Sequence, residues 1–256
     1  TDNAGNKGET TLNLAIDQKS DRPIITVRDI GLSGEKQYLG QKTISFTVED
    51  DDGPIEKFEI SEDNSNWKPV ELKNGSYNYT LVDDRDYELS FRVTEYKENP
   101  ESPDVVFETS SKNNALTEPV LKHETEVSDS TLKFTLDTKL PEIKSGSKIS
   151  FDEGTSSKFD NGIKIGGAKK AFTINVGVKD ASGIQAVVLK VGETFTREGR
   201  SQGAADENGF ETWKITISET ECEKFDNGNV QFDLEVKDNA GSTTKVTKVL
   251  LVDNQK

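Results

Sequence analysis

Short runs in which apolar and polar residues alternate recur along the whole chain, for example at residues 44–48 and 232–236. When the pattern repeats every two residues, one face of a strand packs against a core and the other face contacts water. The sequence therefore predicts an all-β protein, with at most a single helical turn at residues 220–225. We expect the core to include Ile44, Phe46, Val48, Phe91, Val93, Val176, Val178, Trp213, Phe232, Leu234 and Val236.

A four-residue motif, Asp-Asn-Ala-Gly, occurs at residues 2–5 and again at 238–241. The first Asp of each copy is followed fifteen residues later by another, at Asp17 and Asp253, and Asp137 ends a similar alternating segment. The spacings between these three aspartates are 120 and 116 residues, close to the size of an immunoglobulin-like domain. We predict domains at 17–137 and 138–256, with residues 1–16 as the terminal strand of a preceding repeat. Because the sequence contains no Met, we expect it to be part of a longer protein.

The two predicted domains share further landmarks. Residues 43–50 resemble residues 173–180, each reading as a strand that ends in an acidic turn, and Asn-Gly pairs at 74–75 and 208–209 predict hairpin turns. The first domain carries a long polar insertion near residues 97–126 that the second lacks. Loops on a rigid scaffold often carry specificity, so this insertion is a candidate partner site, with a plain surface loop as the alternative.

Composition and charge exclude several classes of function. The net charge is −15 and the sequence has no cluster of Lys and Arg, so we expect neither nucleic acid nor another acidic partner. One Cys and one His exclude an internal disulfide, a CxxC site and a cluster of His ligands. Catalytic and phosphate-binding motifs are missing, which argues against an enzyme. No apolar run approaches the ~18 residues of a membrane span, so we expect no membrane insertion.

The repeated motif carries a family resemblance. Residues 1–6 and 237–242 are similar to the turn, of the form (V/T)xDxAGN, that joins the last two strands in the bacterial immunoglobulin-like repeats of large surface proteins and adhesins. The first domain departs from it, since Glu95 stands at the position equivalent to Asp238 and no Ala-Gly turn follows. The resemblance implies tandem β-sandwich domains in an extracellular, cell-surface stalk or adhesion module. Its partners would be further such repeats and a protein or glycan on a host or neighbouring cell.

The resemblance also implies that calcium stiffens the chain of domains into a rod, as in several members of that family. The aspartates of this sequence are suitable ligands for such a cation. In an immunoglobulin sandwich, the domain junction and two of its turns meet at one end. This places Asp137, Asp180 and Asp238 together in the second domain. In the first domain the candidates are Asp17, Asp50, Asp51 and Asp52, with Asp21 or Glu95 in addition. Calcium takes six to eight oxygen ligands. Asp also forms turns without any metal, and that alternative stays open.

Two other functions remain open at this stage. One is a carbohydrate-binding or accessory module of a secreted enzyme, in which Trp67 would stack on a sugar. Trp213 fits the core pattern with Ile215 and Ile217 instead. The other is a structural component of a bacterial sheath or a phage particle. Loss of glycan binding on Trp67→Ala would favour the first, and ordered self-assembly of the purified chain the second.

Overall fold

A computed structural model of the chain describes residues 23–28, 36–49, 55–99, 102–108, 120–123, 126–128, 131–167 and 169–254. Strands and turns make up almost all of these residues, which confirms the all-β prediction. The internal contacts divide the chain into two compact units. The first takes Thr1–Asp29, Ile44–Tyr79 and Glu88–Leu132, and the second takes Ile30–Thr43, Thr80–Tyr87 and Lys133–Lys256. The predicted strand at residues 1–16 lies outside the described residues.

The strands before Asp137 form two sheets. In one, the order is β11-β10-β1-β3-β7-β6; in the other it is β2-β12-β8-β4-β5, with β9 paired to β8. Their bounds are β1 Ile24–Arg28, β2 Tyr38–Leu39, β3 Thr43–Glu49, β4 Ile55–Ser61, β5 Trp67–Pro69, β6 Leu72–Lys73, β7 Ser76–Thr80, β8 Asp86–Asn99, β9 Ser102–Glu108, β10 Val120–His123, β11 Glu126–Ser128 and β12 Thr131–Leu136. The predicted Asn-Gly turn joins β6 to β7, where Asn74 and Gly75 have φ of 53° and 78°.

The polar insertion near residues 97–126 contains paired strands. Strand β8 continues into it as far as Asn99, β9 pairs with that extension, and β10 pairs with β1 in parallel. The apolar residues at 105–107 and 120–121 give these segments the composition of strands. The insertion is therefore built in part from paired strands, and its role as a partner site stays a prediction.

From Asp137 onwards the chain forms a second pair of sheets. One has the order β15-β14-β17-β21-β20 with β13 on β17, and the other β16-β23-β22-β18-β19. Their bounds are β13 Glu142–Ile143, β14 Lys148–Phe151, β15 Ser156–Lys158, β16 Lys164–Gly166, β17 Phe172–Lys179, β18 Ile184–Val191, β19 Phe195–Glu198, β20 Arg200–Ala205, β21 Glu211–Ile217, β22 Gly228–Asp238 and β23 Thr243–Asp253. The apolar faces of both sheets supply one core cluster.

All expected core residues are buried except Val48 and Trp213, which are only partly buried. Val48 is the second-last residue of β3, so its side chain lies at the margin of the sheet. Trp213 packs against the edge of the second core, near Gly199, where the chain passes from β19 to β20. A Cβ on Gly199 would lie 3.5 Å from Cε3 of Trp213 and 3.1 Å from Cγ1 of Ile215. Glycine at this crossing leaves room for the large ring.

The predicted helical turn is confirmed as α1, Glu219–Cys222. The Ser218 amide donates to Oε2 of Glu221 over 2.9 Å, which closes the first turn. Cys222 is buried, and burial raises the pKa of its thiol to about 11, so the only thiol is held as an unreactive core residue. Within the described stretches no helix is long and apolar enough to span a bilayer.

Candidate metal centre

Three of the predicted aspartates stand at strand ends in the second unit. Asp137 directly follows β12, Asp180 directly follows β17, and Asp238 is the last residue of β22. Asp137 and Asp238 are buried, and Asp180 is partly buried. Buried carboxylates need partners, so the contacts of each oxygen decide what this cluster can do.

One backbone amide links the first two carboxylates. The Ser182 N–H is shared between Oδ2 of Asp137, at 3.0 Å, and Oδ1 of Asp180, at 2.8 Å. The Ser182 hydroxyl also donates to Oδ1 of Asp180 over 2.7 Å. On the other side, Oδ1 of Asp137 accepts the Lys139 amide over 3.2 Å. The turn after β17 thus brings Asp137 and Asp180 together.

The Asp-Asn-Ala-Gly motif forms the tight turn between β22 and β23. Oδ1 of Asp238 accepts the Ser242 amide over 2.8 Å, and Gly241 supplies the positive φ of 93° that the turn requires. Asn239 joins this turn to the first one, because its side-chain amide donates to the Ser182 carbonyl over 2.7 Å. The motif therefore positions the third carboxylate beside the other two.

Like charges and burial act together on these groups. Burial raises the pKa of Asp180 above its usual 3.8; the neighbouring Asp137 raises it further, against hydrogen bonds from Ser182. Burial also raises the pKa of Asp238, with the charges of Asp180 and Asp137 adding to the effect against the hydrogen bond from Ser242. Oδ2 of Asp238 is buried and accepts no hydrogen bond from any described residue. The cluster thus has an excess of negative charge that a bound proton or cation would offset.

The donor chemistry fits calcium, because every candidate ligand is an oxygen and one buried oxygen has no partner among the residues described. The arrangement of these oxygens fits calcium less well than their chemistry does. Among the residues that the structure describes, no group of three or more His, Cys, Asp or Glu side chains is arranged to hold a metal ion. Backbone amides occupy most of the carboxylate oxygens, so calcium would have to replace some of these bonds or share the oxygens with them.

The segment from Asp137 to Pro141, which we call the linker, is held by several hydrogen bonds. The Asp137 amide donates to the Leu39 carbonyl over 3.0 Å, and the Thr138 hydroxyl donates to Oδ1 of Asp84 over 2.9 Å. Further along, the Thr244 hydroxyl donates to the Pro141 carbonyl over 2.6 Å. These bonds restrain the linker whether or not a cation is present.

Without calcium, the raised pKa values predict an unusual pH dependence. A carboxyl whose pKa is raised in the folded state favours folding while protonated, and that contribution is lost as the pH rises through its folded-state pKa. In chelator, the free energy of unfolding of the parent minus that of Asp180→Asn should therefore fall as the pH rises above the usual carboxyl pKa of about 4. Urea titrations at several pH values measure this difference. A flat difference would mean that the charge of Asp180 is fully compensated by Ser182.

The remaining sequence-predicted site residues divide into two groups. Asp17, Asp50 and Asp52, like Asp21 and Asp51, lie outside the described residues, so the calcium site predicted for the first domain stays a prediction. Glu95 lies in β8, with its Cα opposite that of Ile55. Trp67 begins β5, and the Arg92 guanidinium carbon lies 4.5 Å from its ring centroid. A role for Trp67 in sugar stacking also stays a prediction.

Two residues of the second-unit cluster were missed by reasoning on the sequence. Ser182 bridges two carboxylates, and Asn239 holds the two turns together. Asn239 belongs to the repeated motif, and the presence of Asn at the same position of both copies is a signal that could identify it. Ser182 carries no comparable signal, because a Ser two positions after an Asp is common in turns.

The similarity of this chain to known proteins lies among solved structures. No protein-family model matches the sequence, and no curated protein matches it. Among solved structures, the fibronectin(III)-like modules of CbhA from Clostridium thermocellum are 14% identical, over 90% of this chain and 94% of that chain, with a TM-score of 0.43. The tetra-tandem repeat in the extending region of a large adhesion protein is 14% identical, over 91% and 50% of the two chains, with a TM-score of 0.31.

A 1.5-MDa bacterial ice-binding adhesin is also 14% identical, over 91% of this chain and 65% of that chain, with a TM-score of 0.27. The chain thus spans half and about two thirds of the lengths of these two adhesin structures. The similar structures are fibronectin-III-like modules and bacterial adhesin repeats, together with immunoglobulin domains.

Proposed function

We propose that the chain is a non-catalytic module of an extracellular, cell-surface stalk or adhesin, and that it binds calcium through Asp137, Asp180 and Asp238. The observation that carries this proposal is the meeting of three carboxylates at strand ends, where one buried oxygen of Asp238 has no hydrogen-bond partner in the described part of the chain. Further repeats of the same protein, and a protein or glycan on another cell, would be its partners.

Each residue of the cluster has a distinct task in the proposal. Asp238 would supply Oδ2, and Asp180 the carboxylate oxygen that Ser182 does not bond. Asp137 would connect the bound cation to the linker, since it is the linker's first residue. Calcium would supply the positive charge that offsets the repulsion among the three carboxylates.

Calorimetric titration of the full chain with calcium tests the proposal directly. Extracellular modules typically bind calcium with dissociation constants of about 10⁻⁴–10⁻³ M, so heat of binding should appear at millimolar calcium. Asp137→Ala combined with Asp238→Ala should remove the heat that belongs to this site. Asp226→Ala, an exposed turn aspartate, is the matched control and should leave it unchanged. Absence of any heat at millimolar calcium would leave the three aspartates as turn formers.

Stiffening of the linker is a separate consequence that small-angle scattering can measure. If calcium restrains the linker, adding chelator should broaden the distribution of interatomic distances in the full chain. The Asp137→Ala and Asp238→Ala double variant should show the broad distribution in both conditions. Identical scattering with and without chelator would mean that the hydrogen bonds of Asp137, Thr138 and Pro141 already hold the linker.

A further inference from the structure

Strand pairing assembles a row of basic residues that the linear sequence hides. The direct neighbours across the five strands β15, β14, β17, β21 and β20 are Lys158, Lys148, Asn175, Lys214 and Arg200. We call these five residues the basic row. Four inter-strand spacings of about 4.8 Å make it about 19 Å long. The linear sequence has no basic cluster, and the fold forms one from residues spread between positions 148 and 214.

The basic row lies on the outer face of its sheet. Its neighbours along the strands, Ile149, Ile174 and Ile215, are fully buried in the core, and side chains alternate between the two faces. The four cationic residues are exposed and Asn175 is partly buried. The row is therefore open to a large ligand.

Three of the four charges in the row have no counter-ion among the residues that the structure describes. Lys158 lies 3.5 Å from Asp160, whereas Lys148, Lys214 and Arg200 have no ion pair with any residue that the structure describes. Lys214 and Arg200 stand directly opposite each other, an arrangement that destabilises a sheet through like-charge repulsion. In a chain with a net charge of −15, unpaired cations side by side are an exception that an anionic ligand would explain.

A second row of hydroxyl groups runs beside the first. Two residues further along the strands, the cross-strand neighbours are Ser156, Ser150, Thr173 and Thr216. The hydroxyls of Thr173 and Thr216 lie 3.3 Å apart. The two rows together contain cations, hydroxyls and one amide, and neither contains a carboxylate or an aromatic ring. Such a face can donate many hydrogen bonds to an anionic, hydroxyl-rich molecule.

One end of both rows opens into a groove where the chain crosses between sheets at Gly199. Its volume is about 570 Å³, and its lining includes Arg197, Arg200 and Lys214, with the hydroxyls of Thr196 and Thr216 and one acid, Glu198. Arg197 is held in place because its Nε donates to the Thr216 carbonyl over 3.2 Å and its Nη1 lies 3.2 Å from Glu221. The groove therefore carries an excess of positive charge that is in part preorganised.

We propose that this face binds an acidic polysaccharide, whose carboxylate or sulfate groups contact the basic row while its hydroxyls contact the second row. The length of the row favours an extended polymer over a single sugar or a free ion. Nucleic acid fits less well, because neither row offers a ring for base stacking. The proposal specifies a glycan for the proposed adhesin, and it requires no calcium.

Binding of polysaccharide probes to the full chain tests the proposal, in chelator so that the calcium site takes no part. Polygalacturonate oligomers present carboxylates, dextran sulfate presents sulfates, and unmodified dextran is the neutral probe. We expect binding of at least one acidic probe at low salt, none of the neutral probe, and weakening as salt screens the exposed charges. The acidic probe that binds more tightly identifies the anionic group. Failure of both acidic probes at low salt would overturn the proposal.

Two triple variants with the same change in net charge locate the site. Combining Lys148→Gln, Lys214→Gln and Arg200→Gln should weaken binding of the acidic probe at least about tenfold, since three exposed charge contacts act together. Combining Lys164→Gln, Lys224→Gln and Lys237→Gln removes three exposed lysines outside the row and should change affinity less than about twofold. Both variants should keep the parent's β-sheet spectrum, because every substituted residue is exposed.

Three further outcomes would overturn the proposal. One is equal weakening by both triple variants, which would mean that only net charge matters. Another is equally tight binding of double-stranded DNA, which would mean that the face accepts any polyanion. The last is concentration-dependent self-association, measured by sedimentation, that disappears in the basic-row variant; the occupant would then be the acidic surface of a second copy. None of these outcomes bears on calcium, so the proposed calcium role is tested independently.

Discussion

Calcium should raise the free energy of unfolding by about 1.4–2.7 kcal/mol over its value in chelator, at calcium concentrations about ten to a hundred times the dissociation constant. The reason is that a ligand that binds only the folded state stabilises that state by mass action. Urea unfolding in calcium and in chelator measures the difference. Trp213 lies in the second unit, so its fluorescence in a Trp67→Phe background follows the part of the chain that holds the site.

The Asp238→Asn variant tests whether Asp238 binds calcium or only stabilises the turn. Asparagine keeps the Oδ1 acceptor for the Ser242 amide, so the turn is preserved, but it removes the buried charge that Asp180 and Asp137 repel. In chelator the variant should be at least as stable as the parent, and in calcium it should be less stable. The substitution therefore changes the sign of its effect with the cation.

The control for this experiment is Asp226→Asn, which removes a charge from an exposed turn and should give the same small change in both conditions. If Asp238 serves only as a turn former, Asp238→Asn will behave as the control does. Equal stability of the parent in calcium and chelator would remove the calcium proposal altogether. Loss of stability of Asp238→Asn in chelator alone would show that the buried carboxylate has a partner other than calcium.

Period-two patterns and repeated turns were enough to predict the fold class. Alternation marked the strands that hold Phe46, Phe91 and Val236, because a half-buried strand imposes that period on any sequence. The Asp-Asn-Ala-Gly motif marked one edge of the candidate site. In each case a local pattern carries the information, so a single sequence suffices.

Features that depend on strand register could not be predicted from the sequence. The basic row joins Lys148 of β14 to Lys214 of β21, and no local pattern says that these two strands flank β17 at the positions of Asn175. The same holds for the contact of Ser182 with Asp137, which are 45 residues apart. Trp213 fits the alternation as a core residue, yet the width of its ring leaves it at the core's edge, since pattern gives the face of a strand and not the space available.

Loss of Arg92 should destabilise the first unit by about 2 kcal/mol, because removal of one partner leaves a buried charge only partly compensated. Glu59 is the residue at risk, with 4% of its surface exposed. Its Oε2 accepts Arg92 Nε over 2.8 Å and lies 2.7 Å from Nη2, while Lys57 Nζ lies 2.7 Å from Oε1. Thermal unfolding of Arg92→Gln by calorimetry measures the loss.

The pH dependence of this loss has a defined sign. Burial acts to raise the pKa of Glu59, but the hydrogen bonds and charges of Lys57 and Arg92 outweigh it and hold the pKa below its usual 4.5. A lowered pKa contributes stability above the unfolded-state pKa, and that stability is lost as the pH falls. The parent and Arg92→Gln should therefore converge in acid. Parallel curves down to about pH 3 would attribute the loss to packing of the arginine stem instead.

Lys73→Gln is the matched control for a lost ion pair, because Lys73 lies 3.3 Å from Glu71 with both side chains largely exposed. Exposed pairs contribute little, so we expect a change below about 0.5 kcal/mol. A loss in Arg92→Gln no larger than in this control would mean that Glu59 is solvated well enough to need no partner.

The same ion pair decides how Trp67 should be tested as a sugar contact. The indole ring lies against the guanidinium that neutralises Glu59, so Trp67→Ala removes packing as well as any ligand contact. In a double-mutant cycle we expect Trp67→Ala and Arg92→Gln to be coupled by about 0.5–1 kcal/mol, the strength of an exposed cation–π contact. Trp67→Phe keeps an aromatic face over the arginine. Glycan binding that falls in Trp67→Phe at unchanged stability would therefore establish the ligand role, whereas binding that falls only in Trp67→Ala, together with stability, would assign the tryptophan to the fold.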